Sequence, residues 1–584
     1  MVGREILIKV VAQATSMYTM NCFKLPDSLC NELNYLIRNF WCGQRDKERK
    51  LAWLAWEKMC IPKSEGGMGF KDLKAFNLAL LAKQGWRLVQ NTESLAHRVL
   101  KARYFPNSSF LEAQVGKNSS YTWWSLMAAQ EVLRRGLRWN IGNGRKTKIW
   151  VDRWIPIPNS FMVASPRPQN FESELVEYFI DRETRGWDTS TVKNVFLPFE
   201  VEAILSIPIS PSLPEDALIW AWTKKGDFMV KSAYQVALKW LAEDRGREAG
   251  GEESNVRRKK EFWTAIWGLN CPNKVKMFMW RACKNILPTN YCLWQRKVTT
   301  DDECVFCGMS ESLGHALWDC WMAEAVWKET KMVLPKVCHP NRDFIDVIWK
   351  GWVDRKELEW EWLACTTWCI WKNRNAAKFE GKFKQAKDVA SEALTLVDEF
   401  KGLFEASRQR APRRTVAWTP PRKDGYKVNV DGAMFKESGS CGIGIVIRND
   451  RGLLMGAMSK KLDLPLGALE VEAKAFEDGI MLAGDLGLGN ICLEGDAKLV
   501  TDALAGSCSP PISIHMIIGG IQRWSLNVQE WQVLHVCRTG NCAAHLMARN
   551  AKHVTDSVIW VEETPSIIAC QLIKDVSGLD FVSS

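Results

Sequence analysis

Three carboxylates in the last third of the chain, Asp431, Glu472 and Asp496, have the types and settings that could do chemistry. In YKVNVDGAM, Val428 and Val430 fall on one face and Asn429 and Asp431 on the other, which predicts a strand ending in a polar-face aspartate. Glu472 lies beside the helical stripe Leu469, Ala473, Phe476 and Ile480, where it can reach inward. ICLEGD predicts a short apolar strand ending in Asp496. Three inward carboxylates repel one another unless a cation sits among them. Oxygen donors without His or Cys favour magnesium or manganese over zinc. Two such ions ~4 Å apart can activate a water and stabilise the leaving oxygen in phosphodiester cleavage. Acids at strand ends are common on ordinary surfaces, so the weight rests on the ordered set, each acid on its expected element.

A second constellation is Cys304-x2-Cys307-x7-His315-x4-Cys320, the ligand types of a closed, structural tetrahedral zinc site. Gly308 and Gly314 suit a compact loop around it. Among 19 cysteines a chance cluster is the competing reading. Cys271, Cys283 and Cys292 fall outside the ligand spacing and read as packing residues. Lys274, Lys276, Arg281, Lys284, Arg296 and Lys297, interleaved with Trp and Phe, suit nucleic-acid backbone contact and stacking or, equally, a solvated helix face.

The elements that must position these residues fall into distinct regions of a multidomain chain. Residues 1–115 are mainly helical, from the spacing in LCNELNYLIRNFW and AFNLALLAKQGWRLV, with KSEGGMGF a Gly-rich turn between. Residues 116–245 mix short strands and helices, and EDRGREAGGEESNVRRKK reads as a linker. Residues 261–330 form a small helical zinc-binding region, 331–405 a helical connector, and 426–560 an α/β domain with a mixed five-stranded sheet. In that domain CGIGIVIR alternates, with Ile443, Ile445 and Ile447 on one face, and NDRG makes the hairpin to LLMGAMSKKL. The basic stretch SRQRAPRRTVAWTPPRKDG introduces it.

Composition bounds the rest. At 584 residues, 47% hydrophobic and 25% charged, the chain is too long for one core and too apolar for disorder. A net charge of +11 fits a polyanionic partner without requiring one. The absence of a signal peptide and of an 18-residue apolar run reads as an intracellular protein, nuclear or cytoplasmic, with reduced thiols and no membrane partner. Most of the 30 tryptophans sit in apolar, helical surroundings and read as core.

From Tyr426 to about Ala551 the sequence resembles the RNase H-type domain of plant retrotransposon-derived proteins, on NVDGA (429–433), GIGIVIRND (442–450), EVEAKA (470–475), EGDAKLV (494–500) and HVCRTGNCAAHLMAR (535–549). The resemblance implies that Asp431, Glu472 and Asp496 are metal ligands. His545 stands where many active RNase H enzymes carry a fourth acid in the pattern N-x-x-A-D-x-L-A, and it joins the expected catalytic set. Imidazole can ligate a metal or move a proton but lacks the carboxylate's charge. Arg538 and Asn541 in the same stretch, and Arg408, Arg410, Arg413 and Arg414 before the domain, are the expected nucleic-acid contacts.

FWTAIWGLNCPNKVKMFMWRACKNILPTNYCLWQR, followed by CVFC, GHALWDC and AVW, is similar to the zinc-binding region found after plant LINE-type reverse transcriptases. Earlier stretches such as WEKMCIPKSEGGMGFKDLKAFNLALLAKQGWRL and RWNIGNGRKTKIWVDRWIP resemble the segment following the polymerase of those elements. The polymerase's paired-aspartate motif is not found, so the chain reads as the C-terminal piece of such a protein. The implied function is cleavage of the RNA strand of an RNA–DNA hybrid with magnesium or manganese, with a structural zinc and a polymerase in trans as a further partner. The alternatives are a catalytically degenerate nucleic-acid-binding protein and a decayed element product.

Overall fold

The computed structural model describes residues 2–15, 17–44, 51–158, 160–169, 171, 173–244, 253–330, 344–354, 359–405 and 418–577. Arg408, Arg410, Arg413 and Arg414 lie outside the described residues. The chain forms two compact units, Met1–Val132 with Tyr234–Ala411, and Leu133–Ala233 with Pro412–Ser584.

The first unit is helical. Its helix Leu73–Gln90 is apolar on most sides and is correspondingly buried along most of its length. Asp72 caps it by accepting from the Ala75 N–H. Asn77, buried within it, accepts from the Leu25 N–H and donates to the Met20 and Phe23 carbonyls. The expected glycine turn is present, with Gly66 and Gly69 at positive φ. Arg374, on the helix Trp360–Glu380, lies against Glu311 of the Cys/His region. Both side chains are buried, and Glu311 also accepts from the Asn290 N–H at 2.8 Å.

The second unit opens with the ribbon β1 (Leu137–Asn140) and β2 (Ala217–Trp220), paired antiparallel. Its main sheet contains β3 (Tyr426–Phe435), β4 (Ser440–Asn449), β5 (Leu454–Leu462), β6 (Asn490–Gly495), β7 (Glu530–His535) and β8 (Ser557–Val561). The order is β7-β6-β3-β4-β5-β8, with β3–β6 and β6–β7 parallel and the other pairs antiparallel. The expected sheet had five strands; the sixth, β8, adds to β5 as an edge. Its residues are mostly exposed, and the apolar run Val558, Ile559, Trp560 and Val561 was the available strand signal.

One face of the sheet is apolar. Val428 and Val430 of β3 and Ile443, Ile445 and Ile447 of β4 join Val471, Phe476 and Ile480 of the helix Ala468–Asp485 in one core. The opposite face receives the helix Cys542–Asn550, and here the glycines of GIGIV matter. A Cβ on Gly444 would lie 2.1 Å from the Ala548 nitrogen and 2.3 Å from the Ala544 carbonyl oxygen. The bare strand lets the helix backbone lie directly on β4, opposite Asp431, which is the register partner of Gly444. We expect Gly444→Val to force the helix outward at a cost of about 1–3 kcal/mol, as overpacking does. Urea denaturation measures it, and unchanged stability would contradict the close approach.

Candidate functional site

The core-facing valines of β3 require the residues between them to face the Cys542–Asn550 helix, so Lys427, Asn429 and Asp431 share one side by the period of two. Asp431 lies mid-strand rather than at the strand's end, since β3 continues to Phe435. Asp496 follows the last residue of β6, and Glu472 is in the first turns of the helix Ala468–Asp485. Gly432 sets the approach: a Cβ there would meet the Glu472 nitrogen at 2.9 Å. One carboxylate oxygen from each of Asp431, Glu472 and Asp496 lies within 4.8 Å of the others.

Burial pushes the Glu472 carboxyl up to about 9, and the neighbouring Asp431 and Asp496 push in the same direction. Asp431 is raised to about 6, mainly by burial, against the opposing hydrogen bond from His545. Glu472 Oε2 is buried without a hydrogen-bond partner. An orphaned carboxylate oxygen facing two other acids fits a hard divalent cation, and the all-oxygen donor set is that of magnesium or manganese. Octahedral oxygens ~2.0–2.1 Å from one magnesium lie about 3–4 Å apart, so small carboxylate rotations close the set.

The folded, metal-free protein therefore holds a proton on Glu472 that the unfolded chain releases above the ordinary glutamate value. Its stability is expected to fall as pH rises from about 5 to about 9. Glu472→Gln should remove most of that fall in metal-free buffer. Thermal melts across this range test it, and a pH dependence unchanged by the substitution would refute the burial argument.

His545 converges with the acids. Its Nδ1 lies 2.7 Å from Asp431 Oδ2, and Arg538 Nη2 lies 3.0 Å from its Nε2. Arg538 is exposed beside the site. Asn541 is placed differently from a nucleic-acid contact: it is buried, donating to the Val430 carbonyl at 2.8 Å and accepting from Asn429. Its amide anchors the start of the His545 helix to the strand that carries Asp431.

Sequence reasoning missed the rest of this buried polar layer. Lys427 bonds Glu494 at 2.7 Å, and Asn429 bonds Glu494 and accepts from Trp418 Nε1 and from Arg448. Arg448 stacks over Trp418 and pairs with Asp575. The period of two linking Lys427, Asn429 and Asp431 was the available signal for the first two.

In the first unit the second constellation also assembles. The Cys304 and Cys320 sulfurs are 3.8 Å apart, and Cys307 Sγ is 3.1 Å from His315 Nε2, with all four ligand atoms within 4.8 Å. Two sulfurs bound tetrahedrally at ~2.3 Å to one zinc are about 3.8 Å apart, so the donor set fits the metal. The loop closes through the Cys304 N–H to the Met309 carbonyl and turns at Gly308, whose φ is +72°. Cys271, Cys283 and Cys292 are buried away from the cluster, and burial pushes the Cys283 thiol up to about 12. Three of the interleaved cations have aromatic partners: Lys274 lies over Trp368, Lys284 over Trp263 and Arg296 over Trp53.

Residues 429–551 match the family described as reverse transcriptase-like, and residues 228–327 match zinc-binding in reverse transcriptase. Over 150 residues the chain is 45% identical to "Uncharacterized mitochondrial protein AtMg00310" of Arabidopsis thaliana, covering 25% of this chain and 97% of that protein. The chain belongs to a plant reverse-transcriptase-like family. Another member, Arabidopsis thaliana "Putative ribonuclease H protein At1g65750", is 26% identical over 603 residues, 99% of this chain and 93% of that protein. Among solved structures, RNase H1 from the archaeon Halobacterium salinarum NRC-1 is 22% identical, covering 22% of this chain and 97% of that one, with a TM-score of 0.21. LC11-RNase H1 in complex with RNA/DNA hybrid is 18% identical, covering 21% of this chain and 94% of that one, with a TM-score of 0.19. The C-terminal mixed sheet with its flanking helices is an RNase H-like domain. Among the described residues, no helix is long and apolar enough to cross a membrane.

Proposed function

We propose that this protein hydrolyses the RNA strand of RNA–DNA hybrids, using magnesium or manganese held by Asp431, Glu472 and Asp496, in a chain of retrotransposon origin that works with a polymerase in trans. The convergence of three carboxylates around the orphaned Glu472 oxygen carries this reading. A bound divalent ion there would lower the pKa of an attacking water and polarise the phosphate. Asp431 is buried and Glu472 half-buried, and both are raised in pKa, so a bound cation would favour their ionised forms. His545 fixes the Asp431 carboxylate, and the exposed Arg538 offers a guanidinium to a backbone phosphate. The 2′-hydroxyls in the hybrid's minor groove would report which strand is RNA. Cys304, Cys307, His315 and Cys320 are the ligands we assign to a structural zinc, and the basic stretch with Arg408, Arg410, Arg413 and Arg414 is assigned to nucleic-acid binding.

The test is purified full-length protein on an end-labelled RNA–DNA hybrid with magnesium, alongside RNA and DNA duplexes. Magnesium-dependent cleavage confined to the hybrid's RNA strand is expected. A second reading, binding without cleavage, draws on the imidazole in place of a fourth acid. It is selected if the hybrid is bound in a salt-sensitive manner but left intact.

A further inference from the structure

We propose that the helix Ser566–Val576 sets the geometry of the carboxylate site: its Asp575, acting through Arg448, Asn429 and Asn541, is a positioning residue for the helix that carries His545. This rests on reading the three acids as a nuclease centre. The helix lies beyond residue 551, where the family match stops. It packs beside Cys542–Asn550, with Ile568 and Leu572 in one apolar cluster with Ala543 and Met547. Asp575 follows Leu572 on the same helical face, at the spacing i, i+4, i+7 from Ile568.

The hydrogen bonds between Asp575 and the site run in one direction. Arginine and tryptophan side chains only donate. Arg448 Nη2 and Trp418 Nε1 both lie on Asn429 Oδ1, at 3.2 and 3.0 Å. That oxygen must therefore face them, which turns the Asn429 amide nitrogen toward Glu494 Oε2 and Asn541 Oδ1, at 3.1 and 3.2 Å. With its oxygen so used, Asn541 donates from its nitrogen to the Val430 carbonyl, next to Asp431. Each amide has a single orientation, imposed from the Arg448 end. Asn541 immediately precedes a helix of 9 residues, too short to be stable without tertiary anchors, so its anchor helps decide where His545 sits.

Arg448 is buried, and a buried cation holds its place when it is paired. Asp575 supplies the pair: its Oδ2 accepts from Arg448 Nη1 at 2.8 Å, while Gln571 donates to Oδ1 at 2.7 Å and fixes the carboxylate's rotation. Glu494 is already paired with Lys427. Without the Asp575 charge, the guanidinium is drawn toward Glu494 and competes there with the Asn429 amide.

Hydrogen exchange of the full-length protein, read by mass spectrometry, tests this without reference to activity. Asp575→Asn keeps the volume and removes the charge. Amides of Cys542–Asn550 should exchange about tenfold faster than in wild type, and those of Ala468–Asp485, across the sheet, at the wild-type rate. Asp575→Glu should restore protection. Hybrid cleavage should follow, with kcat about tenfold lower in Asp575→Asn, KM little changed, and recovery in Asp575→Glu. Unchanged exchange in Cys542–Asn550, or equal acceleration in both helices, would overturn the proposal. Gln571→Ala, which leaves the charge and frees the carboxylate's rotation, decides by the same two criteria if Asp575→Asn does not fold. A wild type that leaves the hybrid intact would remove the nuclease reading, while the exchange comparison still decides the contact.

Discussion

Asp431→Asn is expected to lower magnesium-dependent hydrolysis of the hybrid by well over a hundredfold while the chain stays folded. Loss of a group that merely orients a metal ligand already costs about 10–100-fold in activity or affinity, and Asp431 is itself a ligand in this reading. The substitution removes a charge with almost no change in volume, and the amide can still accept the His545 hydrogen bond at the remaining oxygen. The metal-free protein should not lose stability, because Asp431 is one of the charges that raise the Glu472 carboxyl. Single-turnover cleavage and a thermal melt on the same preparation make the check. Full activity in the variant would eliminate the carboxylate site as the catalytic centre.

The zinc cluster should show the second large effect. Cys307→Ser is expected to release zinc and to melt the helices packed around the loop. Structural zinc contributes about 10–16 kcal/mol in isolated finger peptides, as much as the whole stability of a typical domain. Cys307 is exposed, so losing its sulfur removes little apolar contact and isolates the contribution of the metal. Cys283→Ser is the matched control: Cys283 is buried outside the cluster, and its substitution should lower stability without releasing zinc. Metal analysis with circular dichroism reads both. A zinc-free Cys307→Ser protein with an unchanged melt would defeat the structural role.

Much of the site was legible because strand and helix periods are local. Alternation around Val428 and Val430 placed Asp431, and the stripe ending at Ile480 placed Glu472, without any knowledge of the sheet. The Cys and His spacing was legible for the same reason: a short loop with a glycine turn brings its own ligands together. What escaped was whatever depends on distant partners. Asn541 looks like a free polar residue in sequence, and only the Val430 carbonyl, more than a hundred positions away, shows that its amide is committed inside. β8 escaped although Val558, Ile559, Trp560 and Val561 form an apolar, β-prone run, because it follows the helix near Ala551 at which the resemblance stops. Glu494 was read only as part of a matched motif, since its partners Lys427 and Asn429 come from another strand.

The pairing of Glu311 with Arg374 bears on how this chain can be cut. The zinc-binding match ends at residue 327, yet the guanidinium that neutralises Glu311 arrives from the helix Trp360–Glu380. A fragment trimmed to the matched segment would lose that cation together with the helix that carries it, and would open the buried Glu311 carboxylate to water. The segment that matches the family is therefore shorter than the packed unit around Glu311. An expression boundary, a proteolytic nick or a recombination joint placed between the two would yield a segment that keeps Cys304, Cys307, His315 and Cys320 and lacks the cation paired with Glu311.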